Sequence, residues 1–205
     1  MQYVHLYLSA NHKAPKEREQ FIELLNTIWF GLYRRKVDND SSGFEHVFLG
    51  EFKETEVIGL HNWIQLYFEE KRGNLDYLGF IKPKRNQGSM PTSHHQFINI
   101  QFEWKGLLKR ESSSFIGTSP EFEFALYSLF FLMGIEEQVV TVGTYKVNIK
   151  TFSIRGGHGK LFIGSSFPCA APLDEHESAT KIQTQYRMKA SNKKVENIRR
   201  TSGKH

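Results

Sequence analysis

Cysteine is nearly absent from this chain: among 205 residues only Cys169 carries a thiol. A lone cysteine excludes an internal disulfide framework and fits a reducing compartment, so the cytoplasm is the expected location. Long hydrophobic runs are missing too, and nothing approaches the roughly 20 apolar residues that span a membrane. Met1 to Lys13 holds a short apolar patch without a basic leading region or a small-residue cleavage site, so no signal peptide is expected. No internal repeat is present. There is no His-Glu-x-x-His and no short His-x-His spacing, and with one cysteine this argues against a structural zinc site. What remains is a composition of 39% hydrophobic and 24% charged residues, that of a folded globular chain able to build one large domain or two small lobes.

The net charge of +5 needs to be located before it means anything. From Ala179 to His205 stand eight Lys or Arg and one acid, Glu196, a local balance of +7. The preceding 178 residues therefore carry 19 basic and 21 acidic groups. The high isoelectric point reports a tail, not a basic folded surface.

Periodicity divides the rest. Residues 15–35 place Phe21, Leu24, Leu25, Ile28, Trp29 and Leu32 at helical intervals behind Pro15, and Asp38 to Gly43 is a turn cluster. His46 to Phe52 reads as a short strand. Residues 60–71 set Leu60, Trp63, Ile64, Tyr67 and Phe68 on one helical face, which puts His61 in the first turn. Strands are expected at 75–81 and 96–104, with a polar loop from Pro83 to His95 between them. Ser119-Pro120-Glu121 opens a helix whose body is apolar nearly all round. Strand patterns at 138–154 and 160–167 flank Gly156-Gly157-His158-Gly159, a hairpin turn. This order predicts an α+β fold with antiparallel sheets and packed helices.

Two histidines carry the chemical interest. His46 lies in Gly43-Phe44-Glu45-His46-Val47-Phe48-Leu49-Gly50-Glu51, and His61 in Gly59-Leu60-His61-Asn62-Trp63. Imidazole exchanges protons near neutral pH, and two together can serve one reaction as base and acid. Glu45 and Glu51 stand where they could orient or recharge the first imidazole. Gly59, lacking a side chain, would let a ligand approach the backbone beside the second. From the residues alone the pair is open to catalysis, to metal binding or to packing. His94, His95 and His158 sit in polar or glycine-rich loops and read as surface residues.

Trp104-Lys105-Gly106, then Lys109, the run Ser112-Ser113-Ser114 and the capped helix at Ser119 complete a longer pattern. With Ser42 to Glu51 and His61 to Ile64 it resembles the EndoU family of uridylate-preferring endoribonucleases, whose viral branch includes a coronavirus enzyme. The resemblance covers residues 1–170 and is similar to the C-terminal two-thirds of the usual domain, without the family's N-terminal helical portion. It implies an EndoU-like domain over 1–170 that cleaves single-stranded RNA at uridylates, the ribose 2′-hydroxyl attacking the adjacent phosphate to leave a 2′,3′-cyclic phosphate. By motif position His46, His61 and Lys109 would be catalytic, His61 as base and His46 as acid. Gly59 would turn its N–H to the phosphate, and Ser113 would contact the base. Ser165 stands where the family has threonine, and Phe167 where it has tyrosine, which keeps a stacking face but loses a hydroxyl. Glu45 and Glu51 match family acids. Many cellular members respond to manganese or calcium, so Mn2+ is the expected cofactor, with Ca2+ the alternative and no ligand set assigned.

The tail, residues 174–205, has its own pattern. Ala179 to Lys189 resembles the first half of an IQ motif, so residues 179–194 are a candidate calmodulin-binding helix. Met188 and Asn192 depart from that pattern. The competing reading is a basic tail that adds salt-sensitive affinity for RNA. The alternative function is accordingly a catalytically weak RNA-binding module regulated through this tail.

Overall fold

A computed structural model describes residues 1–81, 96–143 and 145–172. The expected loop at 83–95, with His94 and His95, and the basic tail at 174–205 lie outside the described residues. Among the described residues no helix is long and apolar enough to cross a membrane.

The N-terminal patch forms a helix the periodicity did not announce, α1 (Gln2–Ala10). It is held by Leu8, fully buried, and by His5, whose ring stacks on Phe21 at 4.2 Å. His5 Nε2 and Ser9 Oγ both donate to the Pro15 carbonyl, at 2.8 and 2.9 Å. Pro15 therefore belongs to the connection, and α2 (Arg18–Phe30) starts three residues later than expected. It ends at Gly31, so Leu32 lies outside it and is exposed. Tyr33 then pairs with Ser41 across the turn cluster.

Among the described residues, eight strands make three antiparallel sheets. β1 (Glu51–Lys53) and β2 (Glu56–Ile58) form a small hairpin, and α3 (Trp63–Lys71) follows. β3 (Leu75–Phe80), β4 (Phe97–Trp104) and β5 (Leu107–Phe115) form the second sheet. Its core gathers Val57, Leu60, Leu66, Leu75, Ile100, Phe102 and Trp104. Here α3 departs from expectation. Leu66 and Glu69 face inward while Tyr67 and Phe68 are exposed. The reason is polar: the Trp104 indole N–H donates to Glu69 at 2.8 Å, and Asn74 and Arg72 satisfy the rest of that carboxylate.

α4 (Pro120–Met133) forms as its capping signal predicts: Ser119 accepts from the Phe122 N–H, and Gly134 closes the helix in the left-handed region. It packs with α2 and the π-turn described below on the third sheet, β6 (Glu137–Val142), β7 (Tyr145–Arg155) and β8 (Leu161–Ala170). The single run expected at 138–154 is thus two strands, broken at Gly143, where φ is +59°. β7 and β8 form the hairpin expected around Gly156 to Gly159. The fold is α+β.

Candidate active site

His46 lies in no strand. Residues Glu45–Leu49 form one π-helical turn, closed by the Gly50 N–H donating to the Glu45 carbonyl. The carbonyls of His46 and Val47 face outward and accept the N–H groups of Leu60 and His61, at 2.9 and 2.7 Å. Those bonds clamp the two histidine segments together. They need Gly59: its φ is +65°, and a Cβ there would stand 1.9 Å from the His46 carbonyl oxygen. His61 in turn precedes α3, one residue before the N-cap Asn62, not in its first turn.

The two imidazoles sit with ring centroids 6.3 Å apart, both buried, but their inner nitrogens have opposite partners. His46 Nδ1 meets the Glu51 carboxylate at 2.5 Å. His61 Nδ1 meets the backbone carbonyl of Ser113 at 2.9 Å. A carbonyl only accepts, so His61 holds its proton on Nδ1 and leaves the Nε2 lone pair free. Burial pushes His61 down to about 3, helped by the charge of Lys109 and opposed by the Ser113 bond. Burial also lowers His46, but Glu51 works against that shift by bonding to the ring and by its charge. One imidazole is held neutral, and the other carries a counter-ion for its cationic form.

Lys109 comes from β5, close enough for its charge to lower both histidines. Burial takes its own amine down to about 8, with Glu56 and Glu111 opposing. A β-bulge aims it: Phe102 pairs with Lys109 and Ile100 with Ser112, so Arg110 and Glu111 together oppose Gln101. Beyond the bulge, the serine run lies buried against the His61 segment. Ser112 Oγ donates to the Leu60 carbonyl at 2.7 Å and Ser114 Oγ to that of His61 at 2.8 Å. Ser113 is thus brought to the site by its backbone, and its two neighbours, unexpected from sequence, brace the same loop.

Phe167 reaches the site from the half-buried face of β8, a face that Ser165 shares two residues earlier. Phe167 stacks directly on His61, with centroids 4.6 Å apart and planes 18° off parallel, and Phe152 lies 6.0 Å behind it. One face of the ring expected to receive a base is therefore covering an imidazole. Gly164, the extra residue of a bulge before Ser165, has no room for a Cβ, which would press on Ile154 at 2.6 Å.

Arg35 is the residue that sequence reasoning missed. Its guanidinium approaches Glu51 at 3.4 Å and donates to Tyr33, Ser41 and the carbonyl of Gly164. It joins the carboxylate behind His46 to the strand carrying Phe167. The partner that ties it to β8, the Gly164 carbonyl, lies 129 residues away, beyond any local signal. Glu51 is buried, which alone would raise it, but hydrogen bonds from His46 and Ser41 and the charges of His46 and Arg35 bring it below the ordinary carboxylate value. Glu45 is raised by burial and by the charges of Glu51 and Asp40. Among the described residues no group of three or more His, Cys, Asp or Glu is placed to hold a metal ion, and Glu51 is already paired with His46 and Arg35.

Antiparallel sheets meeting at a buried pair of unlike imidazoles define an α+β protein equipped for acid–base work. The comparison with known proteins is specific. The family model described as Endoribonuclease XendoU matches residues 1–168. The chain is 44% identical over 174 residues to the poly(U)-specific endoribonuclease of Xenopus tropicalis, covering 82% of this chain and 57% of that protein. It is 39% identical over 172 residues to the uridylate-specific endoribonuclease of Homo sapiens, covering 82% and 40%. The solved structure of XendoU, described as a splicing-independent snoRNA-processing endoribonuclease, superposes with a TM-score of 0.67 at 41% identity, over 83% of this chain and 62% of that one. This chain belongs to the XendoU endoribonuclease family. It spans little more than half the length of the Xenopus tropicalis relative.

Proposed function

We propose that the chain is an endoribonuclease that cleaves single-stranded RNA after uridylates and leaves a 2′,3′-cyclic phosphate. The observation that carries this is the unlike pairing of the two inner nitrogens, Glu51 behind His46 and the Ser113 carbonyl behind His61. The 2′-hydroxyl is too weakly acidic to attack unaided. His61, neutral and with Nε2 free, removes its proton as the 2′-oxygen bonds to phosphorus. The phosphorus–oxygen bond to the next nucleotide breaks, and His46, its cationic form supported by Glu51, protonates the departing 5′-oxygen. Lys109 supplies positive charge to the phosphoryl oxygens, inside a site whose burial strengthens that interaction.

Four further roles belong to the same reading. Gly59 offers its backbone N–H to the phosphate beside His61, Ser113 contacts the base, Ser165 supplies a hydroxyl to the substrate, and Phe167 shapes the pocket while holding His61. The expected response to manganese finds no donor cluster among the described residues, so it is left to assay. The alternative is a catalytically weak RNA-binding module that answers to calmodulin through residues 179–194.

The test is an oligonucleotide with a single uridine, incubated with and without manganese. Cyclic-phosphate product that disappears in His46→Ala and His61→Ala is the expected result. Intact RNA with retained binding would overturn the reading and leave the alternative.

A further inference from the structure

His46 takes its counter-ion from β1 and His61 its ring cover from β8, and a single guanidinium bonds toward both strands. Arg35 Nε lies 3.4 Å from the same Glu51 oxygen, Oε2, that meets His46 Nδ1. It also donates at 3.1 Å to Ser41 Oγ, and Ser41 bonds on to Glu51. Nη2 serves β8, donating to the Gly164 carbonyl at 2.6 Å and to Tyr33 Oη at 2.8 Å. Tyr33 Oη donates in turn to the Ile163 carbonyl at 3.2 Å. Both carbonyls sit at the bulge of β8, shortly before Phe167.

The loop holds Arg35 by its backbone. Its N–H donates to Asp40 Oδ1 at 2.7 Å, and those of Lys36 and Val37 donate to Oδ2 at 2.8 and 3.0 Å. The side chains of Arg35 and Glu51 are 21% and 10% exposed, so solvent screens their charges little. A brace for β8 alone would need no carboxylate, and a counter-ion for Glu51 alone would need no bond to Gly164. A lysine could not serve both, since its donors share one nitrogen, whereas the planar guanidinium bonds in two directions at once.

We infer that Arg35 is a positioning residue for the cleavage reaction. It fixes the Glu51 carboxylate behind His46 and ties it to the strand whose Phe167 covers His61, so acid and base keep one relative placement. The inference rests on the endoribonuclease reading and adds to it a residue that acts through Glu51 and β8. Its charge also has a definite sign at His46. Glu51 favours the His46 cation, Arg35 and Lys109 oppose it, and His61 is held neutral. Glu45, Ser41 and Tyr33 complete the surroundings of Glu51. Loss of the guanidinium charge therefore raises the pKa of His46, whereas loss of the Glu51 charge lowers it.

The test compares Arg35→Gln and Arg35→Lys with the unaltered full chain, using kcat against pH on the single-uridine oligonucleotide and NMR titration of the His46 imidazole. Thermal melts show which variants are folded. Arg35→Gln should lower kcat about 10-fold, a fraction of the roughly 100-fold or more that a positioned acid contributes. Its alkaline limb and its His46 titration should both move to higher pH, opposite to Glu51→Gln. Arg35→Lys keeps the charge but not the second direction, so kcat should fall with the limb in place. An unchanged kcat in folded Arg35→Gln, a His46 titration that does not move, or full rescue by lysine overturns the inference. If Arg35→Gln does not fold, Arg35→Lys decides. Its loss of kcat should shrink in the Glu51→Gln background, and an equal loss in both backgrounds overturns the inference. An unaltered chain that cleaves nothing sinks the endoribonuclease reading instead, and the His46 titration still shows whether Arg35 governs that imidazole.

Discussion

At the scale of single residues, His46 and His61 are the same side chain placed in two electrostatic settings. Burial lowers both, but Glu51 opposes it at His46, while nothing anionic faces Nδ1 of His61. The pH profile follows. His61 is in its basic form above about 3. The acid form of His46 is lost as pH rises through a value below the ordinary 6.5, and the Lys109 ammonium fades above about 8. The kcat/KM of cleavage should therefore peak below pH 6.5 and fall toward pH 9. An optimum at pH 8 would sink the assignment. Glu51→Gln keeps the shape behind His46 but removes the charge, so the pKa of His46 drops further. We expect kcat to fall roughly 10- to 100-fold, the order of a general-acid contribution, and the alkaline limb to move to lower pH. A role confined to stability would leave that limb in place. Gly59→Ala meets both a positive φ and the His46 carbonyl at 1.9 Å. Strain of about 1–3 kcal/mol or more should lower the melting temperature and disorder both histidines, read by a thermal melt and by kcat together.

Elements place these residues, and they do so by interrupting regular structure. The π-turn at Glu45–Leu49 turns two carbonyls toward the His61 segment, and the bulge in β5 aims Lys109. Such features recur beside functional sites because an unpaired register is what redirects a side chain. α4 shows the regular case, with its cap and first-turn proline readable in Ser119-Pro120-Glu121. It hides one cost. Burial pushes Glu123 up to about 7, against the hydroxyls of Thr118 and Tyr127. The folded state thus keeps a proton that the unfolded chain releases near 4.5. The resulting penalty is absent below about pH 4.5 and complete above about 7, where it amounts to about 3 kcal/mol. Glu123→Gln should raise the melting temperature at pH 8 and change it little at pH 4. Equal shifts at both pH values would refute the buried neutral acid.

At the scale of the molecule, basicity and chemistry are separated. The residues before 179 are slightly acidic in sum, and the positive excess lies in 179–205. Deleting 179–205 should weaken RNA binding at low salt. It should also flatten the salt dependence, by roughly 0.7 in log–log slope for each phosphate that the tail neutralises. Cleavage of a uridine dinucleotide should be unchanged. An unaltered slope would assign the tail to another partner, and calcium-dependent capture by calmodulin is then the measurement to make.

Sequence by itself determined the family pattern, the α+β order and the identities of the residues that would act. Those rest on local signals: helical and two-residue periodicities, a capping serine, and histidines and a lysine in motifs long enough to be distinctive. Only the tertiary structure decided which nitrogen of each histidine is held, that Phe167 covers His61, and that Arg35 ties Glu51 to β8. The physical reason is range. Protonation state and orientation come from burial and from partners up to 129 residues away, and neither leaves a mark on the neighbouring sequence.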